Sequence, residues 1–168
     1  MMSSDNLHSE NGVDYSKLQN LLQEGRWEEA DYETYLVMLK VVGRGEGDWI
    51  RPNEMKAFPT NDLLIINNLW TKYSSGKFGF SIQKQIYESI RKSFQTIDES
   101  PHSESSTVQQ TQLFSNESVE FVKRVGWQVD RYKDLTFDLQ KAPEGHLPGC
   151  WAFRFFGFGW YLLSRKEL

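Results

Sequence analysis

A chain of 168 residues with 39% hydrophobic and 25% charged residues can build one compact domain and is too apolar for global disorder. The net charge of −4 argues against a nucleic-acid binder, which needs a basic face, and the single cysteine, Cys150, excludes a disulfide-stapled scaffold and favours a reducing compartment. No apolar run approaches the roughly 20 residues of a membrane-spanning helix, so the chain does not read as an integral membrane protein.

Residues 1–13 carry Asp5 and Glu10, no Arg or Lys and no apolar stretch, and read as a disordered tail without a targeting signal. One domain then occupies residues 14–168. Tyr15, Leu18, Leu21 and Leu22 follow helical spacing up to Gly25. A second helix runs from Glu28 to Val42, with Ala30, Thr34, Val37, Met38 and Val41 on one face. Acidic Glu28, Glu29 and Asp31 fall in its first turn, where the helix dipole favours them. Residues 43–60 read as a loop bearing Trp49, Ile50 and Phe58. Asn61 or Asp62 then caps a helix striped by Leu63, Ile66, Leu69, Trp70 and Tyr73. After Lys77-Phe78-Gly79-Phe80, Ser81 is the expected cap of a helix reaching Ile97, striped by Ile82, Ile86, Ile90 and Phe94. Polar residues 98–116 form an expected mobile linker, and a short helix covers Glu117–Val125. Residues 129–139 are extended or irregular, Ala142–Gly149 is barred from regular structure by two prolines and two glycines, and aromatic Trp151–Tyr161 is ambiguous. Five helices against one or two strand candidates give a mainly α domain.

Charge is uneven: residues 1–48 carry a net −6 and the remainder +2, with Lys123, Arg124, Arg131 and Lys133 as the sharpest basic cluster. Catalytic groups are scarce. His146 and Cys150 lie four apart in one turn, with no adjacent Asn, Asp or Gln to orient the imidazole, and a zinc site lacks a second Cys or a paired His. Nothing in these patterns argues for an enzyme. The outlying quantity is aromatic: 6 Trp, 7 Tyr and 11 Phe make 14% of the chain, which fills a core or lines a pocket for a flat ligand.

Two segments stand out, Phe78-Gly79-Phe80-Ser81-Ile82-Gln83 and Ala142-Pro143-Glu144-Gly145-His146-Leu147-Pro148. Read alone, Phe78 and Phe80 plug the core, Gly79 lets backbones approach and His146 is a structural hydrogen-bonder. Taken in series with Gly25-Arg-Trp-Glu-Glu-Ala-Asp31, Phe58-Pro-x-x-Asp62-Leu63, Leu69-Trp70, Val125-Gly-Trp127 and Thr136-Phe-Asp-Leu139, they resemble the genomes-uncoupled (GUN4-like) porphyrin-binding family across residues 14–155.

That resemblance implies an all-α domain shaped like a cupped hand, with irregular C-terminal loops forming part of a ligand cleft. It implies a non-enzymatic regulator in chlorophyll synthesis that binds protoporphyrin IX or magnesium protoporphyrin IX. The implied partner is the large porphyrin-binding subunit of magnesium chelatase, which the protein stimulates. The family's two ligand-embracing loops correspond to Gly43–Phe58, with Trp49 and Ile50, and to the chain from Gly149 onward. Its porphyrin-contacting aromatic falls on Tyr132, one loop arginine falls on Arg154, and the position of the other is Gly157.

The chemistry of such a ligand, a flat macrocycle with two propionates, asks for ring walls from Phe80, Tyr132, Leu147 and Trp151. It also asks for cations from Arg131, Lys133 or Arg154. Gln83 belongs to the same set, and His146 is either an axial ligand to iron or magnesium or a structural group. Two alternatives stay open: a bilin such as phycocyanobilin on the same fold, with Cys150 as a covalent attachment point, and an interaction or sensory module without pigment. Aromatic Phe153–Tyr161 packs on the core, lines the pocket or faces a partner or membrane. The expected location is the cytoplasm of a photosynthetic bacterium, peripheral to its membranes.

Overall fold

The computed structural model describes Ser9, residues 12–95, 116–154 and 160–168, with the side chains at 153, 154 and 160 excepted. The expected linker at 98–116, apart from its last residue, Gly157 and the middle of the aromatic C-terminal cluster lie outside the described residues. Eight α-helices occur among those described: α1 Ser16–Gln23, α2 Trp27–Val41, α3 Pro52–Lys56, α4 Thr60–Tyr73, α5 Phe80–Gln95, α6 at 116–124, α7 Cys150–Arg154 and α8 Trp160–Leu163. A 3-10 turn at Tyr132–Asp134 takes up part of the region left open as extended or irregular, and no strand forms among the described residues. The chain is all-α.

The helix ends follow from local chemistry. Gly25, at φ +70°, closes α1: its N–H donates to Leu22 O at 3.2 Å and Arg26 N–H donates to Leu21 O at 2.9 Å. These two bonds satisfy carbonyls that the end of a helix otherwise orphans. Val13 is buried, and its N–H donates to Ser9 Oγ at 3.0 Å.

Three local expectations are corrected. The 43–60 loop contains α3, started by Pro52 at its first turn and by Glu54 accepting Arg51 N–H at 2.8 Å. Neither Asn61 nor Asp62 caps α4, because Pro59 occupies that position and Asp62 is buried inside the helix, accepting the Tyr15 hydroxyl at 2.5 Å. Ser81 does not cap α5; Phe80 already lies in the helix, and Asn67 Oδ1 on α4 accepts Ser81 N–H at 2.9 Å. The buried face of α5 is accordingly Phe80, Gln83, Tyr87 and Ile90, with Ile82, Ile86 and Phe94 at its margins. A polar residue on the inward stripe is the first sign that α5 carries more than packing.

Helix α1 packs on α2 and α4, α5 on α4 and α8, α3 on α8, and α7 on α2. Among the described residues, eleven aromatic side chains are buried in this core. Trp27, Trp70 and Phe78 form one ring cluster with centroids 5.7–6.3 Å apart. Tyr87, Phe121, Trp127 and Trp151 form a second, linked edge-to-face at 5.1–5.8 Å. At the C-terminus Leu162 and Leu163 are buried, and Arg165 donates to Phe58 O at 2.6 Å and to Thr60 Oγ1 at 2.9 Å. Of the Phe153–Tyr161 segment only the Tyr161 side chain is described, and it is half-buried against the core.

Candidate functional site

The two segments singled out by sequence are stitched to one another. Gly79 N–H donates to Leu147 O at 3.0 Å, and Gly145 N–H donates to Lys77 O at 2.9 Å. A Cβ at Gly79 would sit 2.8 Å from Thr71 Cγ2 and 3.1 Å from Asn67 Oδ1 on α4, and the backbone there has φ +130°, so glycine suits this position. Gln83 completes the seam. Its Nε2 donates to Gly145 O at 3.0 Å and to Pro148 O at 2.9 Å, while its Oε1 accepts Trp151 Nε1–H at 2.9 Å. Both amide protons and the amide oxygen of a fully buried side chain are thereby used, which is what removes the cost of burying it.

His146 does the same work on the other side. Thr136 N–H donates to Nε2 at 3.0 Å, so that nitrogen is the acceptor, and Nδ1 therefore carries the proton that it donates to Val125 O at 2.6 Å. Trp127 Nε1–H donates to the His146 carbonyl at 2.7 Å. Burial pushes the imidazole below its ordinary pKa, against the smaller opposing effect of the Val125 carbonyl. Neither ring nitrogen offers a lone pair to an iron or magnesium ion, nor to a Cys150 thiol. His146 therefore takes the structural role, and neither the axial-ligand role nor the Cys/His pairing fits. Cys150 is itself fully buried, so its thiol is closed to attachment of a bilin from the surface.

The sequence offers Asp31 as a first-turn acid and as the end of the Gly25–Asp31 motif, but α2 starts at Trp27, which puts Asp31 beyond its first turn. In the structure it points inward from α2 and has no solvent exposure. Its Oδ1 accepts Gly149 N–H at 2.6 Å and Cys150 N–H at 3.4 Å, and its Oδ2 accepts the Tyr132 hydroxyl at 2.5 Å. The signal that finds it is periodic: Asp31 lies four residues after Trp27 and four before Tyr35, on the buried side of α2.

Tyr132 itself is half-buried, its ring 5.6 Å from that of Phe137. It lines a cleft of about 880 Å³ that α1 and α2 bound, and Leu21 and Tyr32 also line it. The rest of the lining is mostly acidic, with Asp14, Glu24, Glu28, Glu29 and Glu33 against Lys17 and Arg26. Arg131, beside Tyr132, is exposed and pairs with Asp134 at 2.9 Å.

Trp49 and Ile50 belong to a separate clasp. Ile50 is buried, and Arg51 lies 4.6 Å from the centroid of the partly buried Trp49 ring. Tyr35 holds the loop by donating to Asp48 O and accepting Gly47 N–H, both at 3.0 Å. Arg44 bridges Asp48 and Glu54 at 2.9 and 2.7 Å, and Arg51 reaches Asp48 at 2.6 Å. The Trp49 N–H, then the two guanidinium groups, hold the Asp48 carboxyl down at about 2.

Phe80, Gln83, His146, Leu147 and Trp151 thus form one buried frame, and Asp31 joins the more exposed Tyr132 to it. Among the described residues no cluster of three or more His, Cys, Asp or Glu could hold a metal, and no helix is long and apolar enough to cross a membrane.

The chain shares this architecture with known proteins. It aligns with the ligand-free structure of Arabidopsis thaliana GUN4 at a TM-score of 0.66 and 25% identity, covering 93% of this chain and 98% of that one. The structure of GUN4 from Chlamydomonas reinhardtii matches at a TM-score of 0.71 over 98% of this chain and 95% of that one, at 24% identity, and speaks to fold. In sequence, the Ycf53-like protein of Synechocystis sp. is 32% identical over 84% of this chain and 53% of its own length. The chloroplastic tetrapyrrole-binding protein of Arabidopsis thaliana is 28% identical over 83% of this chain and 49% of its own. The chain spans about half the length of these curated relatives. A match to the family described as GUN4-like runs from residue 8 to residue 161, through α1–α7 and the frame just described, and the chain belongs to that family.

Proposed function

We propose that this chain is a non-enzymatic tetrapyrrole-binding regulator. Its proposed ligand is protoporphyrin IX or magnesium protoporphyrin IX, and its proposed partner is the large porphyrin-binding subunit of magnesium chelatase, which it stimulates in chlorophyll synthesis. Its proposed setting is the cytoplasm of a photosynthetic bacterium, at the periphery of the membranes. The observation that carries this reading is the GUN4-like match along nearly the whole chain, in which one relative bears the name tetrapyrrole-binding protein.

Tyr132 and Trp49 are the proposed ring walls, since both are only partly buried. Phe80, Leu147 and Trp151 back them from the core, and Ile50, Gln83 and His146 hold the loops in place. The acidic lining of the cleft repels propionates, so the ligand's carboxylates are assigned to Arg131, Lys133 and Arg154. That same acidic lining favours a second reading, a pigment-free module that receives a basic protein partner.

A panel of protoporphyrin IX, its magnesium form, haem and phycocyanobilin, followed by tryptophan quenching and visible absorbance, decides between them. Saturable binding of a cyclic porphyrin is expected. Arg154→Ala should then weaken that binding by about 1.5–3 kcal/mol, the range for hydrogen bonds to charged groups. Preference for the bilin would replace the porphyrin as ligand, and a flat titration with every pigment would overturn the reading in favour of the interaction module.

A further inference from the structure

We infer that Asp31 is the positioning residue of the ligand site, one buried carboxylate on α2 that orients the Tyr132 ring and anchors the start of α7 together. The inference rests on the tetrapyrrole-binding reading and deepens it. Tyr132 sits on a 3-10 turn of three residues and α7 is five residues long. Segments that short lack the cooperative hydrogen bonding to hold themselves in place, so their orientation comes from tertiary anchors. Asp31 supplies one to each, across 101 residues to Tyr132 and 118 to Gly149. It does so from a 15-residue helix whose flanking positions Ala30 and Thr34 are fully buried.

The geometry explains why a charge is tolerated there. Burying a carboxylate costs several kcal/mol unless its lone pairs are taken up. Here Oδ1 faces backbone N–H groups and Oδ2 faces a phenol. For Tyr132, the Phe137 ring beside it and the Asp31 bond at its hydroxyl fix both the tilt and the reach of the aromatic face. A ring held this way meets a flat ligand without an ordering cost at the moment of binding.

The test is a double-mutant cycle on the full chain with protoporphyrin IX as probe, read by tryptophan quenching, alongside hydrogen exchange at the Gly149 amide. Tyr132→Phe keeps the ring and removes the hydroxyl that Asp31 holds. It should weaken binding about fivefold, and Asp31→Ala about tenfold or more, with the double variant no weaker than Asp31→Ala within about twofold, because coupled groups are not additive. Asp31→Asn, which keeps an acceptor for Gly149, should preserve that amide's protection, whereas Asp31→Ala should lose it. Asp62→Asn, a change at the other buried Asp–Tyr pair, should lower the melting temperature and leave affinity unchanged below the transition.

Two results would overturn the inference. One is wild-type affinity in Tyr132→Phe, which is informative even if Asp31→Ala does not fold. The other is multiplication of the two single effects, which would place the hydroxyl on the ligand rather than on Asp31. Failure of the wild-type chain to bind any pigment would overturn the tetrapyrrole reading and this inference with it, whereas wild-type binding with unaffected variants would overturn the inference alone.

Discussion

Two aspartates in this protein accept a tyrosine hydroxyl at the same 2.5 Å distance, and they serve different ends. Asp62 on α4 holds Tyr15 at the entry to α1, where both residues are at most 1% exposed. Burial, then the hydrogen bond and charge of Asp62, push that phenol far above its ordinary pKa, so it stays a neutral donor at any physiological pH. Asp31 holds Tyr132, whose ring is partly open to the cleft, and spends its other oxygen on the backbone at the start of α7. The same bond closes a core in one place and sets the edge of a site in the other. What differs is the exposure of the ring and the rigidity of what the carboxylate is tied to.

The largest expected effect lies in the seam beside the Asp31 site, where Pro148 precedes the Gly149 amide that Asp31 holds. Gln83→Leu should be the most damaging change, because it strands the Gly145 and Pro148 carbonyls and the Trp151 indole N–H in the interior. At ~1–3 kcal/mol for each unsatisfied buried group, partly relieved by relaxation, urea denaturation should show a loss of about 3–5 kcal/mol. A loss below that range would mean that water reaches the seam.

The next largest effect separates the two pairs. Tyr15→Phe leaves the buried Asp62 oxygen facing a ring edge and should cost about 1.5–3 kcal/mol, as for hydrogen bonds to charged groups. Tyr132→Phe should cost less stability, because Asp31 keeps its Gly149 donor and the ring is only half-buried. Equal losses in chemical denaturation would erase the distinction between a core pair and a site pair.

The smallest effect is one of pH. His146 has its folded pKa depressed below the unfolded value near 6.5, so the unfolded chain binds the extra proton first. Its contribution to stability is complete above about pH 6.5 and declines as the pH falls from there towards the folded pKa. The melting temperature should therefore drop between pH 7 and pH 5, and His146→Gln should flatten that part of the curve.

Much of the helical frame was readable in advance. The i, i+3, i+4 spacing of Leu18, Leu21 and Leu22, the stop at Gly25 and the stripe through Leu63, Ile66 and Trp70 are local patterns, and the structure follows them. Phe78–Gln83 and Ala142–Pro148 also announced themselves, as did the ambiguity of His146 between a ligand and a structural role. The missed elements share a cause. Helix α3 is five residues started by Pro52, too short for periodicity to register, and the caps of α4 and α5 come from Pro59 and from Asn67 on a neighbouring helix. Asp31 and Asp62 both fall on the apolar side of their helices, a signal that was present while Asp31 was read as a first-turn acid and Asp62 as a cap.

The sequence by itself determined that the chain is mainly helical and rich in aromatic rings, and its motif series determined the family, because helical periodicity, glycine stops and residue order are properties of neighbours along the chain. Only the tertiary structure decided which polar groups matter. The partners of Gln83, His146 and Asp31 lie as far as 68, 21 and 119 residues away, and a buried hydrogen bond is satisfied or orphaned by what folding brings beside it.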